Sequence, residues 1–144
     1  MIKKSAFAGG MILLGGFSMK KKLVIGVLEN DSTNRFVYNR MVKFHPGEMD
    51  AYIFESCAEG TEKVQEINPD ILFVDLYLQG DHLGGIEWFK NIKLTLPHTR
   101  FVAMTTFIQK DDREAALRAG FDTCVEKPLL LHDIELLQKQ VSEN

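Results

Sequence analysis

The chain has 144 residues, of which 45% are hydrophobic and 26% are charged, and its formal net charge is −3. This composition is typical of one globular domain with its own core, and the slightly acidic balance argues against direct binding to DNA or RNA. The two cysteines, Cys57 and Cys124, lie too far apart in the sequence to suggest a zinc site or a disulfide framework, so a reducing cytoplasm fits.

The first 18 residues differ from the rest of the chain. Lys3 and Lys4 precede a glycine-rich apolar run at 6–17, which is too short to span a bilayer as a helix. A basic start before an apolar segment resembles a secretory signal, but no clean small-x-small cleavage site follows it. We expect residues 1–18 to be a non-native or mis-started leader, with a membrane-surface tether as the alternative, and the domain to cover residues 19–144.

Five short apolar runs, each bounded by turn residues, predict five β-strands. They cover residues 23–28, 51–55, 71–74, 100–105 and 121–125. The third run is apolar throughout and partly β-branched, which is typical of a strand buried on both faces of a parallel sheet. It leads directly into a single carboxylate, Asp75.

A segment with helical character follows each predicted strand. We expect Asp31 or Ser32 to cap the first helix, and Gly120 to end the fourth helix, which covers residues 111–119. The other helices are indicated by apolar residues at helical spacing, namely Phe36, Val37, Met41 and Phe44 in the first, Val64 and Ile67 in the second, Ile86, Phe89, Ile92 and Leu96 in the third, and Leu130, Ile134, Leu137 and Val141 in the last.

The alternation of strands and helices, joined by short connections, predicts an α/β fold. This alternation specifies a parallel sheet with helices on both faces and right-handed crossovers. We therefore expect one doubly wound (βα)5 domain. Periodicity alone does not establish the strand order, and the flavodoxin-like order 2-1-3-4-5 is the natural candidate for five strands.

Polar side chains follow four of the predicted strands. Glu29 and Asn30 follow the first strand, Asp75 the third, Thr106 the fourth and Lys127 the fifth. The carboxyl ends of parallel strands meet at one edge of the sheet, which is where ligands bind in open α/β folds. Each residue alone is explained as a solvated polar residue at a loop, but together they indicate a functional site.

The chemistry that this set suits is phosphoryl transfer onto Asp75. Oxygens of Glu29, Asn30 and Asp75 suit Mg²⁺, a hard ion that takes few protein ligands and screens the charge of a phosphoryl group. Asp75 is the expected nucleophile, with Lys127 pairing with the phosphoryl group and Thr106 donating a hydrogen bond to it. The added charge would draw Thr106 and Lys127 inward and so bias the loops after their strands.

From about residue 20 onward the chain resembles the receiver domain of two-component response regulators. The matching stretches are LENDSTNR at 28–35, PDILFVDLYL at 69–78, VAMTT at 102–106 and AGFDTCVEKP at 119–128. The resemblance implies the order 2-1-3-4-5 and Mg²⁺-dependent transfer from the phosphohistidine of a sensor histidine kinase or phosphotransfer protein to Asp75, with slow self-catalysed hydrolysis. It also implies that the backbone carbonyl of Tyr77 is a metal ligand and that the Lys127–Pro128 peptide is cis.

Three matched positions depart from the family pattern. The usual pair of acids after the first strand is Glu29-Asn30 here, so we expect weaker Mg²⁺ binding but surviving phosphorylation. Phe107 follows Thr106 where the family has a small side chain; its ring either restricts water and prolongs the phosphorylated state, or faces solvent or the fourth helix. Cys124 replaces a frequent switch aromatic and is expected to be a small buried residue. The loop at 79–85 also looks slightly longer than usual.

Competing functions follow from the same residues. The chain is not expected to be a metabolic enzyme; the leading prediction is a switch whose surface at 107–119, the fifth strand and the last helix binds a downstream protein or forms a homodimer. The alternative is a degenerate receiver that is not phosphorylated and serves as a protein-interaction platform. An aspartyl phosphohydrolase is disfavoured because Tyr77 stands where a second acid is needed, and a flavodoxin because no phosphate loop follows the first strand.

Overall fold

A five-stranded parallel sheet forms the centre of the molecule. The computed structural model describes residues 11–14, 17–20, 22–44, 49–78, 81–82, 84–106 and 110–143. The strands within these ranges are β1 Met11–Leu14, β2 Phe17–Lys20, β3 Leu23–Leu28, β4 Met49–Phe54, β5 Ile71–Asp75, β6 Tyr77–Leu78, β7 Asp81–His82, β8 Arg100–Thr105 and β9 Thr123–Glu126. The central sheet has the order β4-β3-β5-β8-β9 with every ladder parallel, which confirms the predicted order 2-1-3-4-5.

The helices cover both faces of this sheet. They are α1 Ser32–Lys43, α2 Cys57–Ile67, α3 Gly84–Ile92, α4 Lys110–Ala119 and α5 Leu131–Glu143, and a 3-10 turn at Lys93–Thr95 follows α3. Residues of α1 and α5, such as Tyr38 and Ile134, belong to one core cluster. Residues of α2, α3 and α4, such as Val64, Phe89 and Ala116, belong to the other. This two-sided packing confirms the doubly wound architecture.

The helix ends follow from local chemistry. Oδ1 of Asp31 accepts a hydrogen bond from the backbone N–H of Asn34 at 2.9 Å, which makes Asp31 the N-cap of α1 as predicted. Gly120 follows α4 with a φ of 116°, a conformation that a residue without Cβ adopts at no steric cost. The sequence therefore contains the start signal of α1 and the stop signal of α4.

The apolar residues of α1 mark only part of the face that the structure buries, because Met41 packs against the core and the two phenylalanines do not. Phe36 and Phe44 are 61% and 69% exposed, whereas Tyr38 is fully buried. The guanidinium of Arg40 lies 5.8 Å and 5.3 Å from the ring centroids of Phe36 and Phe44, and this cation–π contact covers part of both rings. Leu130, which the sequence pattern placed in the last helix, precedes α5 instead and is 56% exposed.

Two short antiparallel pairs lie outside the central sheet. β1 pairs with β2 within and just after the predicted leader. β6, which directly precedes the predicted loop at 79–85, pairs with β7 inside that loop. The status of the leader and the domain boundary at residue 19 stay predictions. In the part of the chain that the structure describes, no helix has the length and apolar character needed to cross a bilayer.

Candidate functional site

Backbone hydrogen bonds extend the parallel ladders to the residues predicted to form the site. The N–H of Glu29 donates to the carbonyl of Phe54 at 3.0 Å, and the N–H of Lys127 donates to the carbonyl of Thr105 at 2.7 Å. Asp75 is itself the last residue of β5. These bonds fix the backbones of three predicted site residues at the carboxyl edge of the sheet.

Asp75 is fully buried at this edge. Its Oδ2 accepts a hydrogen bond from Nζ of Lys127 at 2.9 Å, and its Oδ1 accepts one from the backbone N–H of Tyr77 at 3.0 Å. A Cβ at Gly85 would collide with the backbone carbonyl of Asp75, and the N–H of Gly85 donates to the carbonyl of Leu76 at 3.2 Å. A residue without a side chain is therefore needed where the loop returns to the site.

Glu29 is also fully buried, and donors surround both of its carboxylate oxygens. Oε1 accepts from the hydroxyl of Tyr38 at 3.2 Å and from Nδ2 of Asn34 at 3.4 Å. Oε2 accepts from the backbone N–H of Asp31 at 3.3 Å and from Nζ of Lys127 at 3.1 Å. Lys127 thus lies between the carboxylates of Glu29 and Asp75.

The electrostatics of the site reflect two buried acids and one cation. Burial raises the pKa of Asp75 from its ordinary value of 3.8 to about 7, and the neighbouring Glu29 carboxylate adds to the rise. Lys127 opposes this shift but does not cancel it. Burial alone would lower the pKa of Lys127, yet the bonds and charges of Asp75 and Glu29 outweigh it, and the pKa lies above its ordinary value. The site therefore carries an excess of negative charge in a poorly solvated place.

This arrangement fits a divalent cation. Nζ of Lys127 lies within hydrogen-bond distance of both Asp75 and Glu29, so the two carboxylates already converge on one positive charge. Among the described residues no group of three or more His, Cys, Asp or Glu side chains could hold a metal. Mg²⁺ does not require one, since it keeps several waters and uses one or two carboxylates. Asn30 and the backbone carbonyl of Tyr77 are the predicted oxygen ligands that complete the set.

The remaining predicted site residues have different surroundings. Thr106 directly follows β8 and its side chain is exposed, so the role of its hydroxyl stays a prediction. Phe107 lies outside the described residues. Cys124 is buried in β9 opposite Ala103, and burial raises the pKa of its thiol. The Lys127–Pro128 peptide is cis, as the resemblance implied.

The structure adds three residues of α1 that the sequence reasoning missed. Asn34 and Tyr38 contact Oε1 of Glu29, and Nη1 of Arg35 donates to the backbone carbonyl of Glu29 at 3.1 Å. A signal for two of them was present in the spacing, because Asn34 and Tyr38 are four residues apart and so lie on one face of α1. These two polar side chains face Glu29, the acid that directly follows β3.

Comparisons with known sequences show which proteins this chain is similar to. The family profile described as "Response regulator receiver domain" matches residues 25–140. The response regulator protein VraR of Staphylococcus saprophyticus is 30% identical over 80 residues, which cover 56% of this chain and 37% of that protein. VraR of Staphylococcus aureus is 33% identical over 76 residues, which cover 53% of this chain and 35% of that protein. The matched part of this chain thus spans about a third of these relatives' length.

Solved structures share the fold. The signal receiver domain of a DNA binding response regulator (merR) from Colwellia psychrerythraea has a TM-score of 0.72 and 21% identity, over 85% of this chain and all of that chain. A CheY-like receiver domain protein from Methanospirillum hungatei has a TM-score of 0.71 and 18% identity, over 85% of this chain and 96% of that chain. At these identities the similarity establishes the architecture alone.

Proposed function

The chain belongs to the response regulator receiver domain family, and on that premise we propose that it is a phosphoacceptor switch of two-component signalling. Asp75 takes a phosphoryl group from the phosphohistidine of a sensor histidine kinase or of a phosphotransfer protein. The observation that carries this proposal is the position of Lys127, whose ammonium lies 2.9 Å from Asp75 and 3.1 Å from Glu29. A cation held between two buried acids supports the proposal that this site binds a negatively charged phosphoryl group.

The transfer step forms one bond and breaks one bond. A carboxylate oxygen of Asp75 attacks phosphorus, the P–N bond of the donor breaks, and its electron pair stays on the imidazole nitrogen. Two contacts hold the nucleophile in place, because Lys127 binds Oδ2 and the N–H of Tyr77 binds Oδ1. The ionised carboxylate is a much stronger nucleophile than the protonated acid, so the raised pKa of Asp75 opposes this attack.

A bound Mg²⁺ ion would oppose the rise in the pKa of Asp75. Glu29, Asn30, Asp75 and the carbonyl of Tyr77 would hold the ion, which screens phosphoryl charge and favours the ionised form of Asp75 when bound. Lys127 remains beside Asp75 as a point charge for the phosphoryl oxygens. We assign Thr106 the role of hydrogen-bond donor to the same oxygens, because it follows β8 at this edge of the sheet.

The output follows from the added charge. A phosphorylated carboxylate carries close to two negative charges by analogy with phosphorylated hydroxyls, and these attract Lys127 and Thr106. Both residues precede elements of the predicted output surface, which consists of residues 107–119, β9 and α5. A change there would alter binding to a downstream protein or to a second copy of the chain as a homodimer. Slow self-catalysed hydrolysis of the acyl phosphate then resets the switch.

Phosphorylation with a small donor tests the proposal. The wild-type chain, D75N and D50N are incubated with acetyl phosphate and Mg²⁺, and their intact masses are measured. We expect one added phosphoryl group in the wild type and in D50N, because Asp50 lies on β4 with a half-exposed side chain away from the site. We expect none in D75N. Absence of the modification in the wild type would contradict the proposal.

The alternative function is a receiver that is not phosphorylated and acts as a protein-interaction platform. Asn30 favours it, because an amide supplies an oxygen ligand without the formal charge of the usual acid. The Lys127 bridge between Asp75 and Glu29 argues for the phosphoacceptor. The mass measurement separates the two functions, since a platform would remain unmodified under conditions that modify a phosphoacceptor.

A further inference from the structure

The hydroxyl of Tyr38 joins two parts of the site that are far apart in the sequence. Tyr38 lies on α1 and is fully buried. Its hydroxyl oxygen is 3.2 Å from Oε1 of Glu29 and 3.3 Å from the backbone nitrogen of Leu129. Leu129 comes two residues after Lys127 and two before the first residue of α5. One side chain therefore contacts both the acid that directly follows β3 and the segment that leads into the last helix.

The direction of these two hydrogen bonds is fixed by chemistry. The backbone N–H of Leu129 can only donate, so the hydroxyl oxygen of Tyr38 accepts from it. The single hydroxyl proton then serves Glu29, whose ionised carboxylate can only accept. Burial raises the pKa of Tyr38 well above its ordinary value, and the charge of Glu29 adds to the rise. The hydroxyl therefore remains a donor at neutral pH.

The two oxygens of Glu29 have different roles as a result. Oε1 is held by the side chains of Tyr38 and Asn34 on α1. Oε2 lies 3.1 Å from Nζ of Lys127, which also binds Asp75. Anchoring the first oxygen restricts rotation of the carboxylate, and this keeps the second oxygen directed at the charge that the two acids share.

We propose that Tyr38 is a positioning residue for the Glu29 carboxylate, and that its hydroxyl couples the metal-binding side of the site to the segment preceding α5. This inference rests on the proposed function, because it presupposes that Glu29 and Asp75 hold Mg²⁺. A change of partners at Glu29 when Mg²⁺ binds would reach the N–H of Leu129 through the hydroxyl of Tyr38. The coupling reaches α5 through backbone rather than through a rotating aromatic ring in β9.

Removal of the hydroxyl has two local consequences. Among the described residues, Oε1 of Glu29 keeps Asn34 as its remaining side-chain donor, and the buried N–H of Leu129 loses its acceptor, which is unfavourable. We expect the Mg²⁺ affinity of Y38F to fall roughly tenfold, the low end of the loss on removing a group that orients a metal ligand. A tyrosine that merely filled space would leave the affinity unchanged in Y38F, since the ring is retained.

The experiment titrates the wild type, Y38F and Y52F with MgCl2 alone, by calorimetry and by amide NMR. Tyr52 is the matched control, because it lies on β4 and packs against the core cluster on the other face of the sheet. We expect weaker Mg²⁺ binding in Y38F and unchanged binding in Y52F. We also expect the Leu129 amide resonance to shift with Mg²⁺ in the wild type and in Y52F, but not in Y38F.

Two outcomes would overturn this inference without touching the phosphoacceptor proposal. One is equal Mg²⁺ affinity in Y38F and the wild type. The other is a Leu129 resonance that does not respond to Mg²⁺ in a wild type whose calorimetric titration shows that the ion binds. This measurement needs no substitution and so decides the matter even if Y38F does not fold. A wild type that shows the Mg²⁺ responses but accepts no phosphoryl group from acetyl phosphate would overturn the proposed function alone.

Discussion

Nζ of Lys127 lies 2.9 Å from Oδ2 of Asp75, although 52 positions separate the two residues in the chain. The side chain of Lys127 is 9% exposed and that of Asp75 is fully buried, so little of this contact faces solvent. Glu29 completes the arrangement at 3.1 Å from the same ammonium. The three charges of the site are therefore coupled. Changing any one of them alters the stability of the protein or the ion binding of the site.

Removing the ammonium leaves two buried carboxylates without a positive partner. We expect K127M to lower the free energy of unfolding of the metal-free protein by about 3 kcal/mol, the usual cost of breaking a buried ion pair by deleting one member. Urea unfolding measures this loss. K22M is the control, because Lys22 pairs with Asp50 at 3.6 Å with both side chains about half exposed, and its change should stay within about 0.5 kcal/mol. Equal losses in the two variants would contradict the expectation.

The raised pKa of Asp75 predicts how the stability of the metal-free protein depends on pH. The folded state holds the Asp75 proton more tightly than the unfolded state does, with a pKa of about 7 against an ordinary value of 3.8. The resulting stabilisation is complete below pH 3.8 and is lost as the pH rises to about 7. We expect the stability of the wild type to fall relative to that of D75N across this range, as measured by urea unfolding in a metal-free buffer. A constant difference between the two proteins would be inconsistent with the shift.

Position 30 carries a neutral amide, so we predict that a carboxylate at this position would increase the Mg²⁺ affinity of the site. N30D adds a formal negative charge next to Glu29, and we expect it to tighten Mg²⁺ binding roughly tenfold, because ligand charge tunes the affinity of oxygen sites. Calorimetric titration with MgCl2 gives the dissociation constants. N39D adds the same charge at an exposed position on α1 and should change the affinity little. If N30D binds Mg²⁺ no more tightly than N39D, Asn30 is not a ligand.

Gly85 lies so close to Asp75 that we predict a large loss of stability when one methyl group is added at position 85. A Cβ at Gly85 would collide with the backbone of Asp75, whereas a Cβ at Gly60 would meet the ring of Trp88 at 2.9 Å. A side chain can rotate away more easily than a backbone carbonyl can, so we expect G85A to be destabilised by about 2 kcal/mol or more and G60A by less. Thermal unfolding of the two variants measures the difference. A more stable G85A than G60A would refute this account of the loop.

Some features of the site were contained in the sequence because they follow from periodicity and chain order. The alternation of apolar runs and helical segments predicted the parallel sheet, and parallel strands bring their carboxyl ends to one edge. That reasoning was sufficient to bring Glu29, Asp75 and Lys127 together before any distance was known. The start of α1 at Asp31 and the end of α4 at Gly120 were predictable for the same reason, since capping depends on residues only a few positions apart.

Other features were decided only by the tertiary structure. The apolar residues of α1 included Phe36 and Phe44, yet the fully buried side chain of the helix is Tyr38, because the packing of α1 against the core cluster decides which face turns inward. The bond between Tyr38 and Leu129 spans 91 positions, and that between Lys127 and Glu29 spans 98. Contacts of this kind depend on side-chain rotamers and on distances between separate elements, which are set when the whole core packs and which no local pattern records.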